Sequence, residues 1–338
     1  MPQVTMKDVA ESAGVSTATV SHVINGTRFV QKETKQAVLS AMQSLGYQPN
    51  SIARSLRSGE TKTIGLVVPD ASNPFFADIS RRIENIGYEN GYSVILCNSD
   101  NDLKKQRDYV STLISKQVDG VFFISAGDSR DDLQRLLESG IPVVIADRNM
   151  PLELADIVLL DNEEAGYRAT EHLIHLGHRR IGCITGPTDI SPSMHRVSGF
   201  QRALDEYGLT FDKQLVLPGD FSIQSGIRAM GELLDLDPPP TAVFALNDMM
   251  AIGAISAAHR KGLQVPEDHS VIGFDDIELA SAVEPALTTM AQPLQEIAQK
   301  ATYRLLEKMN TVGDDWQNEK YVLQATLVVR ESTARVKE

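Results

Sequence analysis

Thr5-Met6-Lys7-Asp8-Val9-Ala10-Glu11-Ser12-Ala13-Gly14-Val15-Ser16-Thr17-Ala18-Thr19-Val20-Ser21-His22-Val23-Ile24-Asn25-Gly26 is the stretch from which the fold of the N-terminal part can be read. Thr5 can cap a first helix, with Asp8 three residues on in a box-like position, and Val9, Ala10 and Ala13 supply an apolar face. Gly14 suits the left-handed residue that stops that helix, and Ser16 can cap a second in which Val20, Val23 and Ile24 recur at helical spacing. Two short helices joined by a glycine turn make a helix-turn-helix. Laid in a major groove, the second helix directs Thr17, Ala18, Ser21 and His22 at base edges and phosphates, with Asn25 at its far end. The plainer alternative is a structural helix pair whose polar residues are solvated. Lys32 to Leu45 predicts a third helix closing a small core with Ala37, Val38, Ala41, Met42 and Leu45, although Gln31 is a weak cap.

The charge distribution agrees with a DNA-reading head. The chain of 338 residues carries a net charge of −13, yet residues 1–62 hold seven bases and four acids, net +3, which leaves −16 on the remainder. Phosphate contacts need only local positive charge. The length suggests roughly two to three compact units. Hydrophobic content of 42% and charged content of 23% are those of an ordinary globular protein. No apolar run reaches the ~18 residues of a membrane span, and Asp8 stands where a signal peptide would turn apolar. A cytoplasmic location, at the nucleoid when DNA is bound, is expected. Cys97 and Cys183 lie in strand-like apolar runs and are expected to be free buried thiols.

After the head, Pro49 ends one element, Asn50 can cap another and Gly59 closes it, with Leu56 between Arg54 and Arg57. A helix over 50–58 is too short to be stable alone. This order of parts resembles the lac repressor family, through Thr17-Ala18-Thr19-Val20-Ser21-His22-Val23-Ile24-Asn25 and then Ala53-Arg54-Ser55-Leu56. The resemblance implies a DNA-binding domain over 1–49 and a hinge helix and linker over 50–62. It implies DNA contacts from Thr5, Ser16, Thr17, Ala18, Thr19, Ser21, His22 and Asn25, and from Ala53 and Leu56 of a hinge helix ordered only on operator DNA. Paired Leu56 side chains from a dimer would wedge into the minor groove, where an apolar insertion kinks the duplex.

From Thr63 onward, short β-branched runs alternate with helix-like stretches twice over: Ile64-Val68 to Val143-Ala146, then Arg180-Thr185 to Val271-Phe274. Helices are predicted near 78–90, 104–116 and 131–139, and again near 163–176, 196–207, 225–234 and 249–261. Such alternation predicts parallel sheets wrapped by helices, and two series predict two lobes with a ligand cleft between them. The expected fold is thus an all-α helix-turn-helix head on an α/β, periplasmic-binding-protein-like body of two doubly wound parallel-sheet lobes. The body spans 63–338, with one lobe about 63–161 and 291–322 and the other about 162–290 and 323–334.

Polar and aromatic residues gather at the strand ends, where open parallel sheets bind ligands. They are Asn73, Phe75, Phe76, Asp147 and Arg148 in the first series, and Arg196, Phe221, Asn247, Phe274, Asp275 and Gln292 in the second. Singly, Asp275 could cap a helix, Arg196 could be a surface charge and Phe75 could be core. Together they offer aromatic faces for a ring and charged groups for its hydroxyls. The body resembles the periplasmic sugar-binding proteins, and this set resembles a ribose pocket, with Ser125 where that pocket has an asparagine. Within the lac repressor family the resemblance is greatest to ribose operon repressors, through 183–187, Gly219-Asp220-Phe221 and 275–281. It implies a repressor that binds a palindromic operator as a homodimer and is released by a small sugar, D-ribose. Alternatives are a purine-type or a phosphoprotein-dependent corepressed regulator of the same family. A sugar-acting enzyme using Asp147 and Asp275 is the reading from another class, but no nucleophile motif or phosphate loop accompanies them. No cofactor is expected, nor a metal at His172, His175 and His178, which read as a solvated helix end. Residues 331–338 show no heptad pattern, so a dimer rather than a tetramer is expected.

Overall fold

A computed structural model describes residues 4–48, 59–124, 129–147, 154–311 and 316–337. The chain divides into two compact units, Met1–Thr61 and Lys62–Glu338. In the first, α1 (Met6–Ala13), α2 (Thr17–Asn25) and α3 (Lys32–Leu45) are each stopped by a left-handed glycine, Gly14, Gly26 and Gly46. Thr5 and Asp8 form the expected capping box: the Thr5 N–H donates to Asp8 Oδ2 at 2.7 Å and the Asp8 N–H to Thr5 Oγ1 at 3.4 Å. Ser16 Oγ accepts from the Thr19 N–H at 3.1 Å, whereas Gln31 makes no side-chain cap. Val9, Ala10, Val20, Val38 and Ala41 form the core. Ala37 and Leu45, expected inside, are exposed. A core this small is filled by one residue per turn of α3, so its apolar stripe is narrower than the spacing suggests.

The second unit holds two six-stranded sheets of the same design. In the first lobe, β1 (Thr63–Val68), β2 (Ser93–Asn98), β3 (Gly120–Phe123), β4 (Val143–Ala146) and β5 (Asp156–Leu160) pair in parallel, with β11 (Lys320–Leu323) along the outer edge of β5. In the second, β6 (Ile181–Thr185), β7 (Val216–Pro218), β8 (Ala242–Ala245), β9 (Ser270–Asp275) and β10 (Thr288–Ala291) are parallel, and β12 (Thr326–Val328) closes the edge antiparallel to β10. Both sheets are covered on two faces, which is why β3 reads as an unbroken apolar run. Phe122 packs into one core cluster, while Val121 and Phe123 point into the other.

Helices α4 (Pro74–Glu89), α5 (Leu103–Ser115) and α6 (Arg130–Glu138) wrap the first sheet; α7 (Asn162–His175), α8 (Ser191–Glu206), α9 (Ile223–Leu234), α10 (Asp248–Arg260) and the short α11 (Glu278–Ala282) belong to the second. Helix α12 (Leu294–Asn310) returns to pack on α4, β3, β4 and β5. The chain therefore crosses between lobes three times, at 160–162, 291–294 and 323–326. The alternation, which ended at Val271-Phe274, left out β5, β10, β11, β12, α11 and α12. Buried Asp156 anchors that region, accepting from Arg304 Nη2 at 2.6 Å, Trp316 Nε1 at 2.9 Å and the Glu319 N–H at 3.0 Å. Helix α4 starts at Pro74, four residues before the predicted start, because Asn73 caps it and proline suits the first turn. Helix α8 likewise starts early, with Pro192 in its first turn. Both cysteines are buried and free. His178 corrects the expected solvated helix end: it is buried, pairing with Thr241 Oγ1 at 2.9 Å and Ser270 Oγ at 3.0 Å. Among the described residues no metal-binding cluster occurs and no helix is long and apolar enough to cross a membrane.

Candidate ligand cleft and nucleic-acid interface

Helix α2 is amphipathic in the sense its sequence requires. Val20 is buried, while Ser16, Thr17, Ala18 and Asn25 are exposed and Thr19, Ser21 and His22 half-buried; Thr5 is exposed at the start of α1. Two of these side chains are already oriented. His22 Nδ1 pairs with Thr27 Oγ1 at 2.8 Å, and Asn25 Nδ2 donates to the Ser21 carbonyl at 2.8 Å. Fixing the imidazole through one nitrogen aims the other, the kind of preorganisation that base-edge contacts need. Ala53 and Leu56, with the rest of the expected hinge helix, lie outside the described residues, as do Ser125 and Arg148 of the expected ligand set.

In the body, backbone strain marks the strand ends. Asp147 after β4, Phe221 after β7, and Asp275 and Asp276 at the end of β9 have φ of 66°, 68°, 113° and 59°. Left-handed geometry is costly for residues other than glycine and persists where surrounding contacts over-determine it. For Phe221 the neighbour is Gly186, just after β6, where any Cβ would overlap the phenyl ring. Asn247 Nδ2 donates to the Phe221 carbonyl at 3.0 Å, and Asn247 Oδ1 caps α10. Asp275 is held directly by one side chain and through its neighbours by two more. Gln292 Nε2 donates to its Oδ1 at 2.7 Å, the Ile277 N–H donates to Asp248 Oδ2 at 2.9 Å, and Arg330 Nη2 donates to Asp276 Oδ1 at 2.7 Å.

Arg196 is buried rather than a surface charge, at 4% exposure. Its Nε donates to Asn162 Oδ1 at 2.8 Å, its Nη1 to the Leu246 carbonyl at 2.6 Å, and its guanidinium lies 3.5 Å from the centre of the Phe274 ring. Nη1 is also 3.8 Å from Asp275 Oδ1. The structure thus brings together Arg196, Asp275, Gln292, Asn247 and Phe221, with Asp147 of the other lobe near enough for its charge to oppose ionisation of Asp275. The face of Phe274 carries the guanidinium, and Phe75 is buried in the core, leaving Phe76 and Phe221, both half-buried, as the remaining aromatic side chains of the set. Asn73 stands at the end of β1 as a helix cap, its Oδ1 accepting from the Phe75 N–H at 3.0 Å. A cavity of about 230 Å³ between the lobes is lined by Asp147, Asn162, Ser191, Pro192 and His195. Of these the sequence reading had only Asp147. Recognising β5 would have pointed first to Asp161, the polar residue directly after the strand, and not to Asn162.

Burial pushes the Asp275 carboxyl up to about 7, against the pull of Arg196 and the Gln292 hydrogen bond and reinforced by Asp147. Burial, and the nearby Asp275 charge, likewise raise Asp248 well above the carboxylate range. Because the folded value of Asp275 lies above the unfolded one, the native state keeps a proton that the unfolded chain gives up. The resulting stabilisation is complete below about pH 4 and is lost as pH rises to about 7. At ~1.4 kcal/mol per tenfold change in proton affinity, this is worth a few kcal/mol at most. Asp275→Asn should remove that dependence, so its stability relative to wild type should improve between pH 4 and 7 in parallel urea titrations. A difference independent of pH would show that the carboxyl is ionised throughout.

Residues 5–50 match the family described as bacterial regulatory proteins, lacI family, and residues 61–326 match periplasmic binding proteins and sugar binding domain of LacI family. The chain is 42% identical over 334 residues to the HTH-type transcriptional repressor PurR of Aliivibrio fischeri, covering 98% of each chain. Among solved structures it resembles the lac repressor dimer bound to operator and the anti-inducer ONPF, with TM-score 0.87, 28% identity, and 98% and 99% of the two chains covered. It also resembles a LacI family transcriptional regulator from Enterococcus faecium with bound ribose, with TM-score 0.74, 35% identity, and 81% and 100% covered.

Proposed function

Since the chain belongs to the LacI family of bacterial regulatory proteins, we propose that it is an operator-binding transcriptional repressor whose grip on DNA is set by a small ring-shaped effector held between the lobes. The observation that carries this reading is the buried Arg196–Asp275 pair, in which Arg196 of α8 meets Asp275, held at positive φ at the end of β9, with Asp147 of the other lobe near enough for its charge to act on Asp275. Charged groups held dry at a lobe junction bind a polar ring well and close around it. Asp147 and Asp275 serve recognition here, not acid–base catalysis.

The effector expected from the sequence was D-ribose, but the full-length relatives at 42% identity carry the name PurR and favour a purine-type effector that tightens operator binding. Ribose stays as the second reading on one specific observation, the Enterococcus faecium family member with bound ribose. The protein acts as a homodimer, since one helix-turn-helix contacts too few base pairs for a genomic search and the similar lac repressor binds operator as a dimer. Effector closing the cleft shifts the lobes and so the spacing of two heads. Ser16, Thr17, Ala18, Thr19, Ser21, His22 and Asn25 read the major groove, and Ala53 and Leu56 the minor groove.

Titration of an operator fragment, selected in vitro by the protein itself, in the presence of hypoxanthine or of D-ribose separates the readings. Coupling in such proteins is typically ~5–150-fold. A purine-type regulator should bind operator more tightly by an amount in that range with hypoxanthine and be indifferent to ribose; a ribose-released repressor should loosen by a similar factor with ribose only. If neither compound changes operator affinity or the melting temperature, the effector reading is wrong while the DNA reading can stand.

A further inference from the structure

The first crossing between the lobes runs from β5 into α7 through Asp161 and Asn162. Asp161 Oδ1 accepts from the Glu164 N–H at 3.0 Å and so caps the helix. Asn162, only 5% exposed, does something different. Its Nδ2 donates to the carbonyl of Leu160, the last residue of β5, at 3.2 Å, and its Oδ1 accepts from Arg196 Nε at 2.8 Å. One side chain therefore bonds both a strand end of the first lobe and the buried guanidinium of the second. A turn later on α7, Gly166 lies so close to the Arg196 backbone that a Cβ would come within 2.9 Å of its Cα. Arg196 cannot shift relative to the start of α7 without breaking these contacts.

We propose that Asn162 is a positioning residue that ties the first crossing to the orientation of Arg196, so that an effector engaging Arg196 and a rotation of the lobes are one event. The proposal rests on the effector reading above. The amide is suited to the task because it carries a donor and an acceptor on one rigid plane. The two halves are separable by substitution. Asn162→Asp keeps an acceptor for Arg196 but has no donor for the Leu160 carbonyl, whereas Asn162→Ala has neither.

Effector affinity, measured by calorimetry with hypoxanthine and with D-ribose, and the effector-induced change in operator affinity are read on full-length wild type and both variants. Asn162→Ala should weaken effector binding by about tenfold or more, the usual cost of leaving a buried charged donor without its partner. Asn162→Asp should bind effector within about threefold of wild type yet lose most of the effector-induced change in operator affinity. That split is what a residue with a purely structural role would not produce. An Asn162→Asp protein that couples like wild type, or an Asn162→Ala protein unchanged in both measurements, would overturn the proposal. A wild type that responds to neither compound takes down the effector reading, and this proposal with it. If both variants fail to fold, Asn162→Ser, whose single short hydroxyl cannot reach both the Leu160 carbonyl and Arg196, reads the same two quantities, and wild-type values for both would again overturn the proposal.

Discussion

Gly199→Ala should destabilise the body by about 3 kcal/mol even though alanine is the better helix former. Alanine in a helix interior is worth up to ~1 kcal/mol over glycine, whereas overpacking costs about 1–3 kcal/mol and more where the obstacle cannot move. At Gly199 it cannot: a Cβ would overlap the Glu163 carbonyl oxygen and lie 2.6 Å from the Tyr167 nitrogen, all backbone of α7. Gly166 makes the reciprocal approach to α8 at Arg196. The two helices touch backbone to backbone, and the same arrangement recurs between α9 and α10 at Gly226 and Gly253. Separating α7 from α8 also displaces Arg196, so effector binding should fall with stability. Gly231 on α9 is the control, because no atom lies within 4 Å of the Cβ it would gain. Gly231→Ala should be neutral or stabilise by up to ~1 kcal/mol. Urea denaturation of the pair decides the matter: equal behaviour of the two substitutions would mean that the close crossing is not rigid.

The second large effect is expected from Arg196→Lys, a change that keeps the charge. Lysine has one ammonium in place of a planar fork. It cannot at once donate to Asn162 Oδ1 and the Leu246 carbonyl and lie flat on Phe274. The acceptors left behind are buried, and an unmet buried group costs about 1–3 kcal/mol each. On that arithmetic the body should lose at least ~2 kcal/mol of stability, and effector affinity should fall with the misplaced cation, while the isolated three-helix head, whose core is separate, keeps its melting behaviour. Calorimetric titration checks this; near wild-type affinity would place the effector elsewhere than at Arg196.

Much of the candidate site was legible in the strand ends, because in a doubly wound sheet the carboxyl ends of strands face one way. Asp275, Asn247 and Gln292 could be chosen on that ground, and they do come together with Arg196, which reaches them from within α8. Their partners could not be chosen. Phe274 reads as an aromatic wall, yet its face is taken by Arg196. Asn162 has no local pattern to announce it, since its role depends on Arg196, 34 residues away. His178 reads as the polar end of a helix, yet it is buried and bonded to Thr241 just before β8, Ser270 of β9 and Ala334 of the C-terminal segment.

The head was determined by the sequence alone. Its caps, left-handed glycines and apolar spacing act over three to five residues, and such local terms are decided before any distant contact forms. The alternation of runs determined the layered body in the same way, through a period that any stretch displays by itself. Tertiary structure decided the rest: which lobe receives β11, β12 and α12, which aromatic faces stay open, and how Arg196 is aimed. Those outcomes turn on burial and on hydrogen bonds between residues distant in the chain, whose strength exists only once the lobes have excluded water around them.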